Sequence, residues 1–256
     1  MHNFNIFLSA LLNKNPKKLI VVDIDETIVC ENNDNSGISE FSTIIENRDK
    51  NTLFAYATGR NIKSIEEIVN AYSLPKADFY ISSVGSAIYH EFNNGSKDCC
   101  WDYYIRKKWN IYNIKRALEN FEGLSLQGVD DQSKTKLSYF TDEHNFNYDH
   151  LIDRLRKQLD KITVIHSHNA YLDILPIKAS KLKAIEFIAE KLEIKPEDII
   201  TAGDSGNDID MLDGPFKSII VSNHTDEVEY LKDKESCYFA TAPGAAGVVE
   251  GLKKLH

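Results

Sequence analysis

Five polar residues stand where apolar runs stop. The stretch "LIVVDIDETIV" (residues 19–29) leads four apolar residues straight into Asp23 and Asp25. Thr58, in "YATGRN", follows "LFAYA" (53–57); Asp204 and Asp208, in "TAGDSGNDIDML", follow "DIITA" (198–202). Residues i and i+2 of an extended segment point to the same side, so Asp23 and Asp25 share a side while Ile24 faces away. Two carboxylates about 4 Å apart repel by roughly 4 kcal/mol at an effective dielectric of about 20, and three or four together require a cation. An all-oxygen donor set with no His or Cys beside it suits Mg2+ rather than zinc. Because Mg2+ binds few carboxylates and completes its shell with water and substrate phosphate, a phosphorylated ligand is expected. Of the two leading aspartates, one can attack phosphorus. The other can protonate a departing alkoxide and then activate water.

Strands have to position these groups. "LIVV" (19–22), "LFAYA", "DIITA" and "SIIVS" (218–222) are continuously apolar, as parallel strands covered on both faces are. Helical patterns lie between them. "SKLKAIEFIAEKL" sets Leu182, Ile185, Ile188, Ala189 and Leu192 on one stripe, and "AAGVVEGLKKL" predicts a closing helix. Alternating strands and helices predict an α/β fold with a parallel sheet, whose ligands bind at the carboxyl ends of the strands. Residues 101–175 differ: aromatic-rich helical candidates ("DYYIRKKWNIYNIKRALENF"), a helix around 149–160 and alternating strands ("KLSYF", "YLDIL") predict a separate α+β insertion. Its boundaries are expected near Tyr89 and Pro176, dividing the chain into 1–88 and 177–256 (core) and 89–176 (insertion).

"DIDET", "ATGR", a lysine opening a helix ("ASKLKA") and "GDSGND", in this order, resemble the four motifs of the haloacid dehalogenase-type phosphatase superfamily. The resemblance implies Asp23 as nucleophile and Asp25 as general acid and base. It gives the phosphoryl oxygens to Thr58, Gly59, Lys181 and Asn207, and Mg2+ to Asp23, the backbone carbonyl of Asp25, and Asp204, with Asp208 supporting through water. From Thr58 to Lys181 is 123 residues (181 − 58), far more than one strand–helix unit, so a large cap must be inserted there. Within it "VGSAIYH", "WDYYIRKKW", "DQSKTKLSYF" and "LDILPIKASK", with the later "VSN", resemble the sucrose-phosphate phosphatase branch over roughly residues 19–255. Trp101 and Trp109 have that branch's spacing. The resemblance implies a Rossmann-like three-layer core, an α+β cap of the C2 type, and Mg2+-dependent hydrolysis of a sugar phosphate through an aspartyl phosphate. On the cap, Gln132, Lys136, Ser138 and Asp173 match its polar, sugar-facing positions. The chain departs from the pattern at Leu182, where Gly is usual, and at Glu26, where Asn is common. Residues 1–18 have no counterpart.

Each of these residues also has a plainer reading. Asp favours helix caps and turns, and Asp208 is the aspartate most exposed to that alternative. Thr58 can cap the helix that follows, Gly59 fits a tight turn that presents its N–H, and Arg60 is divided between phosphate clamp and helix surface. Trp101, Tyr103, Tyr104 and Trp109 are expected in the core rather than against a sugar ring. His166 and His168 share a strand face, but with no third ligand they do not make a zinc site. Two rival functions use the same residues: a phosphotransferase or phosphomutase passing the group to a sugar hydroxyl, and a non-catalytic sugar-phosphate-binding protein.

The 256 residues carry 42% hydrophobic and 27% charged side chains, ordinary for a globular protein. A net charge of -9 argues against a nucleic-acid or acidic-membrane surface. Four cysteines without a CxxC pair, in a chain long enough to need no disulfide, point to a reducing cytoplasm. No run approaches the ~18 apolar residues of a membrane span. The apolar stretch Ile6–Leu12 lacks a basic flank and cleavage site, and is read as a surface helix or partly ordered arm. Nothing in the sequence speaks to oligomeric state.

Overall fold

The computed structural model describes residues 16–31, 35–90, 97–167 and 169–255; the N-terminal arm read from the sequence lies outside them. A seven-stranded sheet has the order β11-β10-β9-β1-β2-β3-β4. Its strands are β1 (Lys18–Val22), β2 (Thr52–Ala57), β3 (Phe79–Ser82), β4 (Ala87–Tyr89), β9 (Ile199–Gly203), β10 (Lys217–Ile220) and β11 (Cys237–Phe239). All pairings are parallel except β3 with β4.

The pleat sends alternate residues of the central strands into different cores. Leu19, Val21, Leu53, Ala55 and Ala57 pack with Ile185 and Ile188 on one face. Ile20, Val22, Phe54 and Tyr56 pack on the other with Phe41, Ile65, Val248 and Leu252. Helices therefore cover both faces: α1 (Ile38–Glu46), α2 (Ile62–Ala71) and α7 (Gly244–Leu255) on one side, α6 (Lys181–Leu192) on the other. Both faces being buried explains why β1, β2, β9 and β10 read as unbroken apolar runs.

A second, antiparallel sheet has the order β5-β6-β8-β7, from β5 (Leu124–Leu126), β6 (Leu137–Thr141), β7 (Ile162–Ser167) and β8 (Tyr171–Pro176). One face packs Leu137, Tyr139, Leu172 and Ile174 against Ile114 of α4 (Ile111–Ala117) and Leu151 and Leu155 of α5 (Tyr148–Leu155). The helix expected around 149–160 ends earlier, at Leu155, and continues as turns. The other face looks back at the large sheet, for Leu175 and Ile165 pack into the same core as β1 and α6. Helix α3 (Cys99–Ile105) also belongs to that core through Trp101 and Ile105.

Tyr103, expected inside, is 72% exposed. Tyr104 stacks on Trp101 and Phe187 with the Lys178 ammonium 4.2 Å from its ring centre. The short helix gives only one of its faces to the core. Trp109 anchors through Nε1–H to the Lys134 carbonyl, 2.7 Å.

Candidate active site

Strand register brings the motif residues level. Val22 pairs with Tyr56 on one side and Ala202 on the other, so the segments leaving β1, β2 and β9 emerge side by side. The N–H of Asp23 still donates to the Ala202 carbonyl, 3.0 Å, and that of Thr58 to Ile81, 2.9 Å. Lys181 enters from the first turn of α6. Ser180 Oγ accepts from the Lys183 N–H at 3.1 Å, and Asp210 Oδ2 accepts from the Leu182 N–H at 3.1 Å. These two bonds hold the helix start that aims the lysine.

Lys181 is fully buried, and its ammonium donates to Asp23 Oδ1 (2.9 Å), Asn207 Oδ1 (2.5 Å) and Asp208 Oδ1 (2.6 Å). Carboxylate oxygens of Asp23, Asp204 and Asp208 lie within 4.8 Å of one another, all three residues buried. Thr27 Oγ1 donates to Asp204 Oδ1, 2.8 Å. Asp208 Oδ2 accepts from the N–H groups of Asp204 (3.1 Å) and Ser205 (3.3 Å), so Asp208 also holds the turn, as its plainer reading supposed. Gly203 is required there: a Cβ would sit 2.6 Å from Asp208 Cγ.

Three carboxylates against one ammonium leave an excess of negative charge, and it shows in the protonation of Asp23 and Asp204. Burial pushes the Asp23 carboxyl up to about 8, against the pull of Lys181 and with the charges of Asp208 and Asp25 adding to the rise. Burial likewise raises Asp204 well above the carboxylate range, with Asp208 and Asp23 adding to it. Burial would lower Lys181, but the charges of Asp208 and Asp23 outweigh it and the ammonium is held more firmly than usual. A hard, all-oxygen donor set short of positive charge fits Mg2+.

The expected cluster of four carboxylates is three. Asp25 turns its side chain to Arg60, whose Nε lies 3.0 and 2.9 Å from its two oxygens and whose Nη2 lies 2.6 Å from Oδ1. Arg60 Nη1 donates to Ser64 Oγ, 2.7 Å. Arg60 is thus a bidentate partner of Asp25, neither a helix-surface charge nor one of the groups gathered around Lys181. Sequence reasoning missed this because the partners are 35 residues apart and nothing local links them.

Thr58 is buried, and its Oγ1 accepts from the Arg60 N–H at 3.2 Å. Gly59 was expected to serve a tight turn; its φ lies outside the left-handed region, and a Cβ would meet only Val84 Cγ2 at 3.9 Å. Its lack of a side chain leaves open space beside the backbone. Behind this loop, Ser83, Val84 and Gly85 all have positive φ (53°, 54° and 84°). For a β-branched residue such as Val84 that is costly. The conformation lets Ser83 donate to the Arg60 carbonyl (2.8 Å) and Val84 to that of Thr58 (3.0 Å).

The departures also find reasons. Glu26 has φ 56°, a region where Asn is favoured. It is held by Asn223 Nδ2, which donates to the Glu26 carbonyl at 2.7 Å, and by its own Oε1, which accepts from the Glu31 N–H at 2.8 Å. Leu182 fits because residue 214 is glycine: a Cβ there would lie 3.0 Å from Leu182 Cδ1.

On the small sheet, Ser138 Oγ donates to Asp173 Oδ1 (2.5 Å), and Lys136 Nζ lies 3.4 Å from the same oxygen. Lys136 Nζ also donates to the Gly59 carbonyl, 3.4 Å, spanning the two sheets. Gln132 commits both ends of its amide to the Ser138 backbone (2.8 and 3.1 Å), which makes it a brace for that strand. His166 lies on the opposite face, between Phe146 and Tyr148, where burial lowers its pKa. His168 lies outside the described residues.

Residues 16–256 match the family model for sucrose-6F-phosphate phosphohydrolase. Sucrose-phosphatase 1 of Nicotiana tabacum is 27% identical over 249 residues, 91% of this chain and 58% of the relative. The chain thus spans less than two thirds of the length of that relative. Mannosylfructose-phosphate phosphatase of Agrobacterium fabrum is 24% identical over 93% of this chain and 96% of its own length. The crystal structure of the sucrose-phosphatase from Synechocystis sp. PCC6803, in complex with sucrose and phosphate, superposes with a TM-score of 0.86 at 26% identity, covering 94% of this chain and 98% of that one.

Proposed function

Because the chain belongs to the sucrose-6F-phosphate phosphohydrolase family, we propose that it is a Mg2+-dependent phosphatase of a phosphorylated disaccharide, of the kind its sucrose and mannosylfructose relatives are named for. The observation that carries this is the buried Asp23, Asp204 and Asp208 set, to which, among the described residues, one cation is hydrogen-bonded, Lys181. Asp23, the Asp25 carbonyl and Asp204, with Asp208 behind them, would hold Mg2+, which would supply the missing positive charge beside the phosphoryl group.

Asp23 attacks phosphorus with a carboxylate oxygen. A P–O bond forms to Asp23, the bond to the sugar oxygen breaks, and Asp25 gives that oxygen its proton. Asp25 then takes a proton from the water that hydrolyses the aspartyl phosphate, releasing inorganic phosphate. Lys181, Thr58 Oγ1, the Gly59 N–H and Asn207 hold the phosphoryl oxygens. Arg60 fixes the direction from which Asp25 approaches. Lys136, Ser138 and Asp173 meet the sugar hydroxyls, and Gln132 steadies their strand. On this reading residues 89–176 form the cap and 1–88 with 177–256 the core. The four cysteines, Cys30, Cys99, Cys100 and Cys237, form no disulfide, in keeping with the cytoplasmic location proposed. Among the described residues no helix is long and apolar enough to cross a membrane.

The test is phosphate release from a panel of phosphorylated mono- and disaccharides, with Mg2+ and with chelator, with and without acceptor sugars. Mg2+-dependent release that acceptors leave unchanged is expected. Transfer to the acceptor would assign a phosphotransferase instead, and tight binding without release would assign a binding protein.

A further inference from the structure

The "VSN" stretch (residues 221–223) and the four residues after it have no part in the chemistry above, yet they bond to both segments that carry it. Asn223 Nδ2 donates to the carbonyl of Glu26, one residue past Asp25, and Asn223 Oδ1 accepts from the Gly244 N–H, 3.0 Å, at the start of α7. The Thr225 N–H donates to the Asp204 carbonyl, 2.9 Å. Glu227 Oε2 accepts from the Gly206 N–H at 3.0 Å and from Thr225 Oγ1 at 3.1 Å. Residues 223–227 thus tie the nucleophile segment, the Asp204–Asp208 turn and the last helix to one another.

The turn needs such support. It is built on a single 3-10 turn, Gly206–Asp208, too short to hold its own shape. Its three successive N–H groups all go to carboxylates: those of Asp204 and Ser205 to Asp208 Oδ2, and that of Gly206 to Glu227. Asp208 is already committed to Lys181 through its other oxygen, so the third bond comes from outside the motif. Gly206 leaves room for it, since a Cβ there would lie 2.7 Å from Glu227 Oε1. Among the described residues the set able to hold a metal is Asp23, Asp204 and Asp208, so Glu227 acts through the turn and not on the ion. A further carboxylate beside a turn already rich in negative charge is a poor way to stabilise the metal-free fold, and it suits a turn that receives a cation.

We propose that Asn223 and Glu227 are positioning residues, forming a clamp that holds the Asp25 carbonyl and the Asp204 carboxylate at the separation a Mg2+ ion requires. This rests on the Mg2+ reading above and not on which sugar is hydrolysed. The test measures the Mg2+ Kd by titration calorimetry, and Tm in chelator, for the wild type, Asn223→Ala, Glu227→Ala, Glu227→Gln and Gly206→Ala. The Kd is expected to rise about tenfold or more in the three alanine variants and to stay within about threefold in Glu227→Gln, whose amide oxygen still accepts both bonds. Phosphate release should follow, with a higher Mg2+ concentration at half-maximal rate in the alanine variants and a kcat that saturating Mg2+ restores. Should Glu227→Ala not fold, Gly206→Ala, which displaces the carboxylate without removing it, is compared with Glu227→Gln instead. Alanine variants with lowered Tm in chelator and an unchanged Mg2+ Kd overturn the clamp, because a merely structural loop behaves that way. A Glu227→Gln variant as weak as Glu227→Ala also overturns it, since the effect would then be one of charge. A wild type that binds Mg2+ but releases no phosphate overturns the phosphatase reading, while the Kd values still decide the clamp. A wild type that binds no Mg2+ overturns the metal site and the clamp together.

Discussion

Lys181 divides one positive charge among Asp23, Asn207 and Asp208, so removing a negative partner relieves the site rather than unbalancing it. Asp23→Asn is expected to lower phosphate release by about 10⁴-fold or more, as loss of a nucleophile does. Its apo form should be at least as stable as the wild type at pH 8, because it deletes an ionisation that burial opposes. Residual turnover near the wild-type rate would remove Asp23 from the nucleophile role. Arg60 makes a different kind of contribution. A lysine has the charge but not the planar fork that grips both oxygens of Asp25. Arg60→Lys is therefore expected to lower kcat by roughly tenfold or more through misdirection of Asp25, with KM little changed. Steady-state kinetics that show the loss in KM alone would make Arg60 a binding group instead.

Elements were legible where burial imposes a pattern. β1, β2, β9 and β10 are covered on both faces and read as apolar runs, and α6 shows its stripe because one side of it is core. β3 and β11 escaped: β3 has four residues, and β11 has three, each only partly buried at the sheet's edge. The motif aspartates could be placed because each follows such a run, whereas Arg60's fork on Asp25 depends on how one loop folds over another. The Ser83–Gly85 loop, of which Val84 and Gly85 open "VGSAIYH", has the same character. It approaches the start of α6 so closely that a Cβ on Gly85 would lie 2.1 Å from the Ser180 carbonyl oxygen and 2.7 Å from the Lys181 nitrogen. The Gly85 carbonyl also accepts from Trp101 Nε1–H, 3.0 Å, which ties α3 to the same point. Gly85→Ala meets positive φ and a backbone clash together, and is expected to cost about 2 kcal/mol or more by urea unfolding. Because the displaced backbone is that of Lys181, activity should fall further than stability alone accounts for. A variant of unchanged stability and rate would mean the loop and the helix are not in contact.

At the scale of the whole molecule, the active site ties pH, metal and stability together. The folded protein keeps a proton on Asp23 up to about 8, while an unfolded Asp loses it near 3.8. The raised pKa in the folded state means the stabilising proton is fully in place below about 3.8 and is lost as pH rises through about 8; the rise in Asp204 acts in the same direction. Without metal, stability should therefore decline from mildly acidic to alkaline pH. On the proposed function Mg2+ would take the place of those protons, so its affinity should increase over the same interval. At a free concentration one hundred times its Kd it adds about 2.7 kcal/mol, which for a chain of this length is roughly 5–10 °C in Tm. Thermal unfolding at pH 5.5 and pH 8.5, each with chelator and with saturating Mg2+, separates the contributions. The metal-induced gain should be small at the lower pH and several degrees at the higher, and the Asp204→Asn variant should lose most of it. Equal gains at both pH values would mean that protons and metal do not compete for these carboxylates, and that the charge excess around Lys181 is balanced in some other way.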